Sequence, residues 1–498
     1  MHSQPTGTDV AADAEAVERV RERRDALAPA LGRTWTDGEP WRFITDLTAI
    51  GSRMAGSDGE RRAAGIVATA FENAGLADVD VEPFELDAWE RGSAELRVRF
   101  PDREGAVREF ESIALPYSPA GAVAGELVDV GYGTPAEIDE RDVEGRIVVA
   151  STTTPPGGRF VHRMEKFGYA VDAGAVGFVF VNHLDGQLPP TGSLTFGGEA
   201  DAVAVGVSKE TGAWLREYAA GGSVGRGGGT GRGGGAGSGR GAADGTRDPS
   251  GDAVPAAELV VEATTIPGES RNVVGRAGPD TDERLLLLAH YDSHDIAEGA
   301  LDNGCGVATV ATAAGILTEA DLPVGVDVVA VGAEEVGLLG AEHLVETVDL
   351  DTVRGVVNVD GAGRHRDLVA LTHASEAAAS IAKAVSAATR QPIAVDTEPH
   401  PFSDQWPFVR RGVPALQLHS ESGDRGRGWG HTHADTRDKV DDRNIREHAM
   451  LAALLVCEFA ADERDAPRLD PDRLADEFRD ADFETGMRAA DLWPDDWE

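Results

Sequence analysis

The sequence predicts an α/β protein, with a mostly parallel mixed sheet covered by helices on both faces and a small β-rich unit inserted into it. Two observations carry that reading. The runs LLLLAH (285–290), VDVVAVGA (326–333), VVNVD (356–360), DLVALT (367–372) and PALQLH (414–419) are unbroken apolar stretches of strand length, as strands buried on both faces require. Between them lie helix-period segments at 307–318, 338–347 and 375–389, and a long one from Asn444 to Phe459.

The elements ahead of this alternation follow from local pattern. Val17, Val20 and Leu27 recur at helical spacing among charges, so residues 13–30 predict one amphipathic helix within an N-terminal unit, 1–40. Ser57 and Glu60 read as a capping box for a helix with Ile66, Val67, Ala70 and Phe71 on its apolar face and Gly75 as its stop. Residues 79–100 alternate, with VDVEPF and AELRVRF as strands. From about residue 113 the texture changes to the short β-rich runs LVDVGYG, RIVVAST and GFVFVN, with MEKFGYAVDAGAVG as a helix between the last two, which sets off a separate small unit. Inside it, 221–245 is a glycine tract whose side chains return too little to offset the entropy of ordering it, so a flexible loop is expected. Its Arg226, Arg232 and Arg240 are spaced as in RGG-type nucleic-acid segments, but the aromatics that stack on bases are absent, which favours a plain loop. The acidic segment 461–498 ends near Trp493 and Trp497; docking and disorder are both open for it.

Composition narrows the function classes. Across 498 residues, 87 Asp and Glu face 46 Lys and Arg, for a formal net charge of −41. A phosphate-tracking nucleic-acid binder would have to hide a basic patch inside that repulsive field, so no nucleic-acid partner is expected. Only Lys166, Lys209, Lys383 and Lys439 are lysines, and the carboxylates recur along most of the chain, the pattern of a surface adapted to salt. Two cysteines, Cys305 and Cys457, exclude a disulfide framework. The N-terminal stretch lacks the apolar core of a signal peptide and no run of 18 purely apolar residues occurs, so a cytoplasmic protein without a membrane partner is expected.

Ionisable residues gather just beyond the strand ends, where functional groups collect in such sheets. His290 and Asp292 close the first apolar run, and their i, i+2 spacing lets both project from one face, so that Asp292 can fix the tautomer of a metal-binding His290; a satisfied His–Asp pair is the plainer alternative. Asp302 and Asn303 stand in a turn before a helix, where a carboxylate is ordinarily an N-cap. Glu334 and Glu335 lie side by side where a strand breaks into a helix, so one can bind a metal while the other takes a proton; two glutamates there also simply favour the helix dipole. Asp360 ends VVNVD, and His431 and His433 precede the last long helix. Together His290, Asp302, Glu335, Asp360 and His431 supply two imidazoles and three carboxylates, the ligand set of a two-metal hydrolytic site.

With these motifs in that order, HYDSH, LDNGCG, EEVGLLGAEHL, NVDGAG and HTHADT, the chain resembles the family-28 metallopeptidases, the co-catalytic dizinc aminopeptidases and their relatives, over roughly 41–112 and 266–460. The resemblance implies a zinc-exopeptidase fold of the phosphorylase/hydrolase-like type. It implies two zinc ions, with Asp302 shared, His290 and Asp360 completing one site, and Glu335 and His431 the other. Glu334 would be the general base and Asp292 the partner of His290. Residues 113–265 resemble a protease-associated domain through GELVDVGYG, DVEGRIVVAS, AGAVGFVFVN and AVAVGVS, a module that caps or restricts the cleft in such proteins. The expected activity is hydrolysis of N-terminal peptide bonds of a peptide substrate by a water shared between the two zinc ions.

Two departures from the family pattern stand out. Gly430 occupies the place where many members carry an oxyanion-holding tyrosine before the last metal histidine, and Gln405 replaces a frequent histidine in SDQWPF. His433 is expected in a loop, His294 near the pocket rim, and Cys305 in a structural role. A dizinc carboxypeptidase or dipeptidase on the same scaffold, or a binding protein without catalysis, are the rival readings. Manganese or cobalt could take the same ligands, and oligomeric state leaves no trace in the sequence.

Overall fold

The computed structural model describes residues 13–100, 106–220, 255–421, 428–462 and 466–497; the glycine tract 221–245 with its three arginines lies outside the described residues. Fourteen strands among these residues form one continuous sheet. In chain order they are β1 (Ala77–Arg99), β2 (Val107–Phe110), β3 (Ile113–Ala114), β4 (Gly121–Asp129), β5 (Ile147–Ser151), β6 (Gly177–Val181) and β7 (Val203–Val207). They continue with β8 (Ala256–Ala277), β9 (Arg284–His290), β10 (Gly325–Val331), β11 (Val353–Val359), β12 (Asp367–Leu371), β13 (Ile393–Asp396) and β14 (Ala415–Glu421). Their spatial order is β13, β12, β14, β11, β9, β10, β8, and then β4, β5, β6, β7, β3.

The apolar runs become the central strands for a physical reason that the burial shows directly. In β9, Leu285, Leu287 and Ala289 enter one core while Leu286 and Leu288 enter another on the opposite face. In β10, Val326, Val328 and Ala330 split the same way from Val329 and Val331. A strand with helices on both sides has no solvent face, so alternation of polarity disappears from its sequence. β14, β11, β9 and β10 run parallel, while β12 on one side is antiparallel to β14 and β8 on the other is antiparallel to β10, so the sheet is mixed as expected.

The two halves of the sheet are joined by β8. Its C-terminal part pairs with β10 and its N-terminal part with β4, while β1 follows it from Ala77 opposite Arg276 to Arg99 opposite Ala256. The segment expected to give two strands over 79–100 is therefore one long strand, whose pairing with β8 shifts register between Ala77 and Asp80 and again between Arg91 and Ala94. In the inserted half, β4, β5, β6 and β7 are parallel and β3 closes the edge antiparallel to β7.

Three local readings change in the structure. The single helix over 13–30 is two, Ala14–Ala26 and Ala28–Thr36, because Pro29 lacks the N–H that would continue the first and suits the opening turn of the second. Val17, Val20 and Leu27 are nonetheless buried in the main core, as their spacing required. Ser57 does cap its helix, accepting from the Glu60 N–H at 3.1 Å, but the Glu60 side chain does not close the box. It is fully buried instead, accepting from Gly56 N at 2.7 Å and meeting Ser270 Oγ at 2.5 Å. The acidic end of the chain docks. Its helices Pro471–Asp480 and Glu484–Ala489 bury Leu474, Phe478, Met487, Trp493 and Trp497 against Trp406, Phe402 and Met164. Ala300–Leu317 has the length and hydropathy to cross a membrane, yet it is the buried helix behind the central strands.

Candidate metal centre

The strand order explains why residues far apart in sequence converge. β11, β9 and β10 are adjacent and parallel, so their carboxyl ends open side by side. His290 is the last residue of β9; Glu334 and Glu335 follow β10 and Asp360 follows β11. Asp302 sits in the kinked turn that leads into the helix Cys305–Leu317, and His431 in the loop ahead of the helix Asp442–Phe459, with a φ of 58°. The turn carrying both glutamates needs Gly337 at a φ of +134°, where a Cβ would lie 2.8 Å from the Cα of Phe196 in the inserted half.

All seven residues singled out in the sequence meet there. His290 Nε2 lies 3.5 Å from Asp302 Oδ1, 3.8 Å from Asp360 Oδ1 and 4.0 Å from Glu334 Oε2. His431 Nε2 lies 3.3 Å from Asp302 Oδ2 and 3.1 Å from Glu335 Oε2. The two oxygens of Asp302 thus face two different groups. Behind them, His290 Nδ1 is 3.3 Å from Asp292 Oδ1, which places the ring proton on that side and leaves Nε2 facing the carboxylates. Asp292 also accepts from the backbone N–H groups of Glu334 and Glu335 at 3.1 and 3.2 Å, so one carboxylate orients both the histidine and the glutamate turn. His431 is oriented from the inserted half: Nδ1 lies 3.2 Å from Thr191 O, and Thr191 N–H donates to His431 O at 2.9 Å.

Several partners were not visible in the sequence. Arg364 is buried and its Nη2 lies 2.7 Å from Asp302 Oδ1 and 3.3 Å from Asp360 Oδ1. Asp435 accepts from Leu301 N and Asp302 N at 2.6 and 3.0 Å, holding the turn that presents Asp302. Ser403 Oγ donates to Asp360 Oδ2 at 2.8 Å. Gln405, where the family pattern often has histidine, is buried and accepts from Asn358 Nδ2 at 2.8 Å, which makes it part of the support under Ser403. His294 is not at the rim: it is buried, with Nε2 3.0 Å from Glu335 Oε2. His433 is exposed, and Cys305 and Cys457 are free and buried.

Burial opposes the charge of every carboxylate here, and the neighbours decide the outcome. For Asp302, Arg364 and the two histidines outweigh burial and hold the carboxyl well below the usual range. Glu335 is likewise held low by His294 and His431 against its burial. Burial and the surrounding carboxylates push Glu334 well above the ordinary value despite His290. Burial alone would strip the proton from His290, yet Glu334, Asp292, Asp302 and Asp360 together raise its pKa. The pocket therefore favours positive charge. Among the described residues His290 Nε2 and Glu335 Oε1 are buried with no hydrogen-bond partner, and the candidate donor atoms fall into two groups, His290, Glu334 and Asp360, and His294, Glu335 and His431, each within 4.8 Å. Imidazoles and carboxylates so placed fit a borderline divalent cation such as zinc.

The groups line a small cavity of about 30 Å³ roofed by His162, Arg163, Met164 and Phe196 of the inserted half and walled by Leu338 and Phe402. His162 stacks on Phe402 at 4.2 Å between ring centroids, tying roof to wall.

Comparison with known proteins agrees with this geometry. Residues 272–456 match peptidase family M28 and residues 123–215 match the PA domain. Aminopeptidase YwaD of Bacillus subtilis is 26% identical over 309 residues, which cover 60% of this chain and 55% of that protein. The chain spans about half the length of the curated relatives it matches. Among solved structures, the Peptidase M28 precursor from Shewanella amazonensis superposes with a TM-score of 0.70 at 19% identity, covering 91% of this chain and all of that one. BSAP, a zinc aminopeptidase from Bacillus subtilis, superposes with a TM-score of 0.61 at 22% identity over 86% of this chain and 97% of that one. The strands and turns that bring these side chains together thus lie in a segment similar to peptidase family M28, preceded by a segment similar to the PA domain.

Proposed function

We propose that this protein is a zinc-dependent aminopeptidase that hydrolyses the N-terminal bond of peptides. The observation that carries the proposal is the two-sided placement of Asp302, with one oxygen toward His290 and Asp360 and the other toward Glu335 and His431. His290 and Asp360 would hold one ion, Glu335 and His431 the other, and Asp302 both. Zinc bound there would supply Lewis acidity to the scissile carbonyl and to the attacking water.

The remaining steps belong to the chain's own residues. Glu334 lies beside His290 and Asp360, and its backbone is fixed by Asp292, so its carboxylate can take the proton of the attacking water and pass it to the leaving amine. Asp292 keeps His290 in the tautomer whose Nε2 faces the site, and Thr191 does the same for His431. The cover that the inserted half places over the cavity supports an exopeptidase, because a roofed cleft favours the end of a peptide over a chain passing through. The relatives named as aminopeptidases support cleavage at the amino end.

The test is metal content and cleavage on one sample, with free and N-acetylated leucyl peptides assayed before and after chelation. Two zinc ions per chain and chelator-sensitive cleavage of the free-amine peptide alone is the expected result. Cleavage of the acetylated peptide would move the activity to a carboxypeptidase, dipeptidase or endopeptidase, and failure to bind zinc on reconstitution would leave a binding protein.

A further inference from the structure

His294 stands inside the second group of donors, and no step described above uses it. Its Nε2 is 3.0 Å from Glu335 Oε2, which is itself 3.1 Å from His431 Nε2. The rings of His294 and His431 meet edge to face with centroids 4.5 Å apart. Among the described residues neither ring nitrogen of His294 meets a partner in hydrogen-bonding geometry, and neither does Glu335 Oε1 beside it. An imidazole buried in this way forfeits its solvation unless something else engages its lone pair.

Its position is enforced by the surrounding chain. Buried Arg53 donates to Tyr291 O, Glu298 O and Gly299 O at 2.9, 2.5 and 2.9 Å, clasping both ends of the loop. Ser293 N–H donates back to Arg53 O at 3.2 Å, and Asp295 is held by Arg91 at 2.6 Å. The residues before and after His294 are therefore anchored to different elements, and the side chain between them is aimed at Glu335.

We infer that His294 is a metal ligand, donating through Nε2 to the same ion as Glu335 and His431. The inference rests on the metal-centre reading above and adds an imidazole to one side of it. The two sides then differ in chemistry: His294, Glu335 and His431 bring two imidazoles and a carboxylate, whereas His290 and Asp360 bring one imidazole. Imidazole-rich sites suit zinc, and carboxylate-rich ones also take manganese, so the side with His294 is the one that keeps zinc when manganese is in excess.

The full-length protein, stripped of metal and titrated with zinc against a chromophoric chelator, tests this. Wild type should bind two ions; His294→Ala should weaken one by about 10–100-fold or more, as losing a ligand costs at least what losing its hydrogen-bonded support does, and leave the other unchanged. The metal-free variant should melt with the wild type, while its zinc-induced rise in Tm should be smaller; a purely structural histidine would lower the metal-free Tm instead. Zinc-edge X-ray absorption on the wild type should count three imidazoles across two ions, and this decides alone if the variant fails to fold. Two imidazoles across two ions, or undiminished zinc affinity in His294→Ala, would overturn the role of His294 and leave the metal centre standing. Absence of zinc binding in the wild type would overturn the metal centre itself.

Discussion

Glu334 and Glu335 are neighbours in the chain, yet Glu335 meets His431 at 3.1 Å while Glu334 faces the other side, 4.0 Å from His290 and close to Asp360. In the proposed mechanism that asymmetry separates a ligand from a base. Glu334→Gln should therefore retain both zinc ions while kcat falls by about 10²–10⁴-fold, the usual worth of a general base; unchanged kcat with full metal content would refute the assignment. A second buried glutamate has a different consequence. Burial, and then the field of Asp292, push Glu60 up to about 8 against its bonds to Ser270 and Gly56. A raised carboxyl pKa means the folded protein holds a proton that the unfolded chain releases near 4.5, so this contribution is full below that pH and is lost as pH rises through about 8. Urea unfolding of Glu60→Gln across pH 5–9 should show a shallower loss of stability than wild type; parallel curves would mean that Glu60 does not titrate in the fold.

At the scale of elements, the closing segment makes the sharpest prediction. Phe478 on the helix Pro471–Asp480 is fully buried, stacked on Trp406 at 5.0 Å and edge-on to Trp497 at 5.2 Å. Phe478→Ala should cost about 3–5 kcal/mol of local stability, seen as faster amide exchange and earlier proteolysis after residue 461. Exchange at the wild-type rate would show that this docking is not maintained in solution. The same elements show what sequence could reveal. Strands such as LLLLAH were legible because burial on two faces leaves a continuous apolar run, and His290, Glu335 and Asp360 were legible as candidate ligands because each stands at or just beyond the end of such a run. Arg364 and Asp435 were not, since each acts on Asp302 from a distant stretch of chain and neither spacing nor polarity marks the contact. Asp435 had only its place in HTHADT as a signal, and His294 only its spacing of four from His290, which suits a loop as well as a ligand. The break at Pro29 was in plain view, but the apolar spacing of Val17, Val20 and Leu27 continues across it.

For the whole molecule, a net charge of −41 is the dominant electrostatic fact. The Debye length falls from about 10 Å at 0.1 M salt to about 3 Å at 1 M, so added salt should relieve repulsion among the carboxylates. The thermal midpoint should rise from 0.1 to 2 M potassium chloride, and most of the rise should come below 1 M, where screening changes fastest. A flat or falling midpoint would show that the acidic surface does not limit stability. The contact between Thr191 and His431 bears on how such a protein can be rebuilt. A residue of the inserted half fixes the orientation of a histidine in the metal centre, so the boundary drawn by homology does not coincide with a boundary of chemistry. Exchanging this module for one from a relative would preserve the centre only if the graft returned a carbonyl to the same place, and the two parts are therefore constrained to be inherited, or engineered, together.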